Sequence, residues 1–167
     1  MAKILNRSSF TVLWGYAVEL ILAVCLSVLI WLIWDKPSID QFFERTISDW
    51  LTITSQVLFP AGVAIWITYV NLETTEFGDY LNHTGVEKAY SAAFVLPSAI
   101  FFLTSVVLVA YKGSKIAILS YASVFLLAYS LAMAFSLISN TAAVIRLYRR
   151  FKIELERERR KEMDKGQ

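Results

Sequence analysis

Apolar positions run through this chain in four long blocks separated by short polar stretches. Residues 11–34 carry one charge, Glu19, and residues 51–72, 89–111 and 116–145 carry none. A bilayer core about 30 Å thick takes roughly 20 apolar residues of helix to cross, and each block meets that length. The pattern predicts an all-α, four-span transmembrane protein with spans at about 11–34, 50–71, 89–111 and 115–145. An acidic connector, DKPSIDQFFERTISDW, joins spans 1 and 2, and an acidic loop, NLETTEFGDYLNHTGVEK, joins spans 2 and 3. A KGS turn then makes spans 3 and 4 an antiparallel hairpin.

The polar pattern after Ile145 differs in kind. RLYRRFKIELERERRKEMDKGQ has no proline, and no glycine before Gly166. Opposite charges recur at helical spacing: Lys152 with Glu156, Glu154 with Arg157, Glu156 with Arg160. Span 4 is therefore expected to continue as one helix of about 50 residues, its last 20 or so projecting about 30 Å beyond the bilayer. The chain divides into a four-helix transmembrane domain, 1–145, and a charged helical tail, 146–167. Val144, Tyr148, Phe151 and Leu155 form a short apolar seam, continued only by Glu158 and Glu162, that would help assemble copies.

Charge sets the expected orientation. The N-terminus, second loop and tail carry 12 lysines and arginines, against 4 in the other two connections. Basic residues concentrate on the cytoplasmic side, which predicts both termini in the cytoplasm and the last helix extending into it, in a bacterial inner membrane. The Asn82-His83-Thr84 triplet fits a glycosylation acceptor only if its loop faces the opposite side, so it reads as chance.

Composition agrees: 57% of residues are hydrophobic and 18% charged, more apolar and less charged than a soluble domain. The first block exceeds a signal-peptide core and lacks a small-x-small cleavage pattern, so it reads as a retained span. Cys25 is the single cysteine, which excludes an internal disulfide and thiol-pair redox chemistry. His83 is the single histidine, and no metal-ligand cluster, P-loop, dinucleotide fingerprint or nucleophile–base set is visible. The chain reads as no enzyme and needs no cofactor.

Candidate chemistry comes from polar groups inside the apolar blocks. An ionisable residue within a span marks a functional site by default. Glu19 either lines a water-filled path or, as a neutral acid, bonds a hydroxyl on a neighbouring helix. On span 2 a stripe at heptad-like spacing joins Ser48, Thr52, Ser55, Phe59, Gly62 and Trp66, with Gln56 beside it. That stripe suits close helix packing, or a pore between subunits with Phe59 as its constriction. Pro60 with Gly62 would loosen mid-span 2, and Pro97 would kink span 3. Ala128, Ala132, Ser136 and Asn140 form a packing stripe on span 4, with Asn140 expected to bond across a helix interface.

At the head of the tail, Arg146, Arg149, Arg150 and Lys152 interleave with Tyr148 and Phe151. Such a collar anchors on anionic lipid, or binds an acidic nucleotide or single-stranded nucleic acid through arginine–phosphate contacts and stacking. In architecture alone the chain resembles the small four-helix membrane effectors of bacterial anti-phage systems. That resemblance implies homo-oligomers that respond to nucleotide or nucleic-acid signals and compromise the inner membrane. The expected function is a homo-oligomeric channel or pore-forming effector controlled through its basic helix. The alternative is a non-conducting adaptor, immunity or accessory subunit docking a partner through that helix.

Overall fold

In a computed structural model of the chain, the backbone is described from Ala2 to Lys165, and side chains from Tyr16 onward except at 158, 162 and 164–167. Among the described residues every element is helical: α1 (Ala2–Ile33), α2 (Lys36–Thr52), a π-helical segment (Ile53–Leu58), α3 (Phe59–Glu73), α4 (Glu76–Thr84), α5 (Glu87–Ser114) and α6 (Ala117–Lys165). Four helical stretches are long and apolar enough to cross a membrane: Tyr16–Ile33, Lys36–Glu73, Glu87–Ser114 and Ala117–Lys161.

Both connectors read as acidic loops are helices. Asp35 accepts a hydrogen bond from the Ser38 N–H at 3.1 Å and caps α2, with Pro37 in the first turn. Ile39, Phe43 and Ile47 then recur every four residues and are buried, so one face docks while the charges stay outside. In α4, Thr75 accepts from the Phe77 N–H, Glu76 and Asp79 occupy the first turn, and Gly85 at φ 70° closes the helix. Those are standard start and stop signals; high polarity between the apolar blocks obscured them.

The KGS turn also shifts. Gly113 lies within α5 with open space around it. The reversal falls instead on Lys115, at φ 51°, whose N–H returns to the Tyr111 carbonyl at 2.8 Å.

α5 and α6 form the central hairpin; α1 packs chiefly on α6, and α3 on α5. Hydroxyls clasp these apolar helices. Thr104 Oγ1 and Ser130 Oγ are 2.7 Å apart across α5 and α6. Ser105 donates to Thr54 Oγ1 at 3.1 Å, and Tyr69 to the Glu87 carbonyl at 3.1 Å. At Gly62 the backbones approach so closely that an added Cβ would lie 2.6 Å from Ser98 Oγ. Two apolar clusters result. One joins Tyr69, Phe94, Phe101, Met133 and Leu137; the other seats the buried face of α2 on Leu108, Tyr111, Val124 and Leu127. The outer surface is apolar too: Leu32, Ile33, Phe135 and Ile138 are at least two-thirds exposed.

α6 spans 49 residues, about 73 Å at 1.5 Å per residue. The three expected ion pairs of its tail are not closed among the described residues, where the salt bridges are Lys36–Asp40 and Lys115–Glu44. Exposed pairs gain little over separate hydration, and Lys152 instead lies over the Tyr148 ring, 5.3 Å from its centroid. The apolar seam is used within the chain: Val144 is buried, and Tyr148 and Phe151 pack in the same cluster as Phe77 and Leu81 of α4. Glu158 and Glu162, its expected continuation, lie outside the residues whose side chains are described.

Candidate functional site

The polar stretch of the second apolar block coincides with the π-helical segment ITSQVL. Two local causes converge there. Pro60 has no N–H to give the Gln56 carbonyl, and its ring would strike that carbonyl in a regular helix. Thr52, Thr54 and Ser55 each turn a hydroxyl back to the carbonyl four residues earlier, a contact that bends helices. The backbone takes up the conflict by widening one turn, so that the Phe59 N–H reaches the Thr54 carbonyl, five residues back.

This widened turn divides the predicted stripe. Ser48, Thr52, Ser55 and Gln56 are exposed on the outer surface of the chain, flanked by the exposed Ile53 and Val57. Gln56 makes no side-chain hydrogen bond to another described residue. Phe59 is half-buried, its ring 5.7 Å from that of Phe102, and Gly62 is buried against Ser98. Thr54, not part of the predicted stripe, turns inward and is buried.

Glu19 lies on a different surface. It is half-buried on α1, the helix that packs chiefly on α6, with Ser136 of α6 near it. Asn140 donates to Ser136 Oγ at 3.3 Å, a bond within α6 rather than across the interface expected of it. Oε2 of Glu19 and the hydroxyl of Tyr16, one turn earlier, are both buried without a hydrogen-bond partner among the described residues. The structure therefore sets Glu19 near Ser136 and Asn140, and does not bring it to the span-2 stripe within one chain.

The collar residues Arg146, Arg149, Arg150 and Lys152 are exposed, and Tyr148 is half-buried. Tyr148 meets Phe77 edge-on at 5.2 Å, and Phe151 lies 5.3 Å from Tyr80 and 5.6 Å from Phe77. The aromatic residues thus hold α4 against α6, while the arginines point free of any ion pair among the described residues. Guanidinium groups so placed suit bidentate contact with phosphate.

At the opposite end of the hairpin lies a cluster that the sequence alone did not reveal. Asp40 of α2 receives Lys36 Nζ at 2.7 Å, the Tyr111 hydroxyl at 2.7 Å and the Ser120 hydroxyl at 3.0 Å. Only Lys36, four residues earlier on α2, was legible as its partner; the other two come from the fold. Among the described residues no group of three or more His, Cys, Asp or Glu side chains gathers. No protein-family model, curated protein or solved structure matches the chain.

Proposed function

We propose that the chain is an integral membrane protein whose copies assemble around an ion-conducting path, with the basic helix controlling its opening. Four apolar helices support the membrane placement, because so much exposed aliphatic surface is untenable in water. The single observation that carries the pore is the outward polar face of Ser48, Thr52, Ser55 and Gln56. Facing lipid, an unpartnered amide would cost several kcal/mol; facing the same stripe on other copies, it lines a wet path. Phe59, at the edge of that face, is the constriction.

Both α4 and the arginine collar of α6 sit at one end, and the lysines at 36, 112 and 115 at the other. The excess of basic residues supports a cytoplasmic position for the collar end. An anionic ligand bound at Arg146, Arg149, Arg150 and Lys152, a nucleotide or single-stranded nucleic acid, would act on α6 directly. Glu19 contributes through α6, as a group whose protonation sets the α1–α6 contact, or as part of the path where copies meet.

Ion flux from liposomes holding the purified protein tests the reading, wild type beside Gln56→Leu and Glu19→Gln. Flux lowered by Gln56→Leu supports a pore lined by the outward face. Flux unchanged in both variants keeps the pore and rejects this lining. No flux, with insertion verified and short oligonucleotides both present and absent, makes the protein a non-conducting adaptor.

A further inference from the structure

Two cavities adjoin at the end of the hairpin that carries the Asp40 cluster, and Trp34 and Phe42 line both. One, of about 250 Å³, is walled almost wholly by carbon: Leu26 and Ile30 of α1, Phe43 and Trp50 of α2, Leu127 and Leu131 of α6. The other, of about 320 Å³, is lined on α2 by Gln41 and Arg45. These two stand four residues apart on one helix face. Neither has a side-chain hydrogen bond or ion pair among the described residues, whereas the Thr46 hydroxyl beside them is already engaged with the Phe42 carbonyl, and the Ser38 N–H with Asp35.

An apolar slot continuous with a pair of free hydrogen-bond donors, one of them cationic, matches one class of molecule in a membrane. We propose that this composite groove binds a phospholipid, with the phosphate on Arg45 and Gln41 and part of one acyl chain between α1, α2 and α6. Charge complementarity selects the occupant. A second copy of the chain would bring to Arg45 the net acidic face of its own α2, and also the arginine itself, whereas a phosphodiester brings one anion with oxygens spaced for a guanidinium fork. The volume of the apolar slot admits a segment of one chain and not a whole lipid. Trp34, half exposed where the cavities meet, sits where an amphipathic ring is favoured between hydrocarbon and headgroup. The proposal rests on the membrane placement above and is independent of ion conduction.

The test titrates short-chain phosphatidylglycerol into the purified full-length protein in a phosphate-free alkyl glycoside detergent. Bound lipid is counted by native mass spectrometry, and the melting temperature is followed in parallel. Inorganic phosphate alone and added alkyl glycoside alone separate the headgroup from the chain. Arg45→Ala should bind the lipid about tenfold more weakly, the loss of one charge-assisted contact. Ala128→Phe, which fills the apolar slot, should weaken it at least as much, while Arg159→Ala in the tail leaves binding unchanged. Equal binding by wild type and Arg45→Ala overturns the proposal. So does an equal shift from phosphate alone or from the glycoside alone, or a loss in Arg159→Ala matching that in Arg45→Ala. Because Arg45 is exposed, its variant decides the matter even if Ala128→Phe does not fold.

Discussion

Tyr111 donates its hydroxyl to Asp40 at 2.7 Å across 71 positions of sequence, and Ser120 reaches the same carboxylate oxygen at 3.0 Å. One side chain of α2 therefore ties down both arms of the α5–α6 hairpin. Tyr111→Phe should cost about 1 kcal/mol near neutral pH, and Asp40→Asn, which weakens the contacts to both helices, should cost more. Thermal melts of the two variants in detergent measure both losses. Melting temperatures equal to that of the wild type would mean that the carboxylate does not clamp the hairpin.

Gly62 and Ser98 set the distance between α3 and α5. Gly62→Ala places a methyl group against the Ser98 hydroxyl, forcing that side chain to turn or the helices to part, at about 1–2 kcal/mol. Ser98→Ala in the same chain opens the space and should restore most of the loss, so the two changes will be non-additive. Thermal melts of the single and double variants measure the coupling. Additive losses would mean that the backbone, not the hydroxyl, receives the added methyl.

Lys115 stands in the left-handed region, where a non-glycine residue costs roughly 1–2 kcal/mol. In return it makes an ion pair with Glu44 at 2.7 Å, with both side chains more than half exposed. Exposed pairs contribute about 0–1 kcal/mol. Lys115→Gly should thus be neutral to stabilising, by up to about 1 kcal/mol after the entropy of glycine is counted, whereas Glu44→Gln alone should scarcely move the melting temperature. A clear destabilisation by Lys115→Gly would show that the ion pair outweighs the backbone.

Gly78 is packed so tightly that an added Cβ would collide with the Glu73 carbonyl oxygen. Backbone cannot yield as a side chain does, so Gly78→Ala should undock α4 and with it Phe77 from Tyr148 and Phe151. Faster limited trypsin cleavage at the collar arginines, relative to the wild type, is the expected readout. A milder probe, Phe77→Ala with Phe151→Ala, should show a coupling of about 0.5–1.5 kcal/mol in a double-mutant cycle.

The long apolar helices were legible because block length alone predicts them. The helices of the connectors were legible in principle: Asp35 before Pro37, Ile39 with Phe43 and Ile47, Thr75 at one end of α4 and Gly85 at the other. Acidic composition masked them, since charge density and amphipathic spacing give opposite readings of the same stretch. The span-2 stripe was half legible. A constant heptad spacing puts Ser48 and Gly62 on one line, but the wide turn before Pro60 adds a residue and rotates α3 relative to α2, leaving Ser48 outside and Gly62 inside. The Asp40 cluster was invisible because Tyr111 and Ser120 become neighbours only once the hairpin closes. The apolar cavity was invisible for the same reason, being made by three helices at once, whereas the polar cavity beside it is local to residues 34–46.

α6 passes from Ala117 to Lys165 without a break. A rod of that kind has no joint at which movement can be absorbed, so its two ends share one set of rigid-body coordinates. Arg149 stands nine residues beyond Asn140, about 13 Å along the axis. Between the arginines and the pair Asn140 and Ser136 the backbone hydrogen bonding is unbroken, so a shift of the helix at one place is carried toward the other. Translation along the helix axis and rotation about it therefore tend to be shared by the charged end and the part of α6 near the half-buried acid.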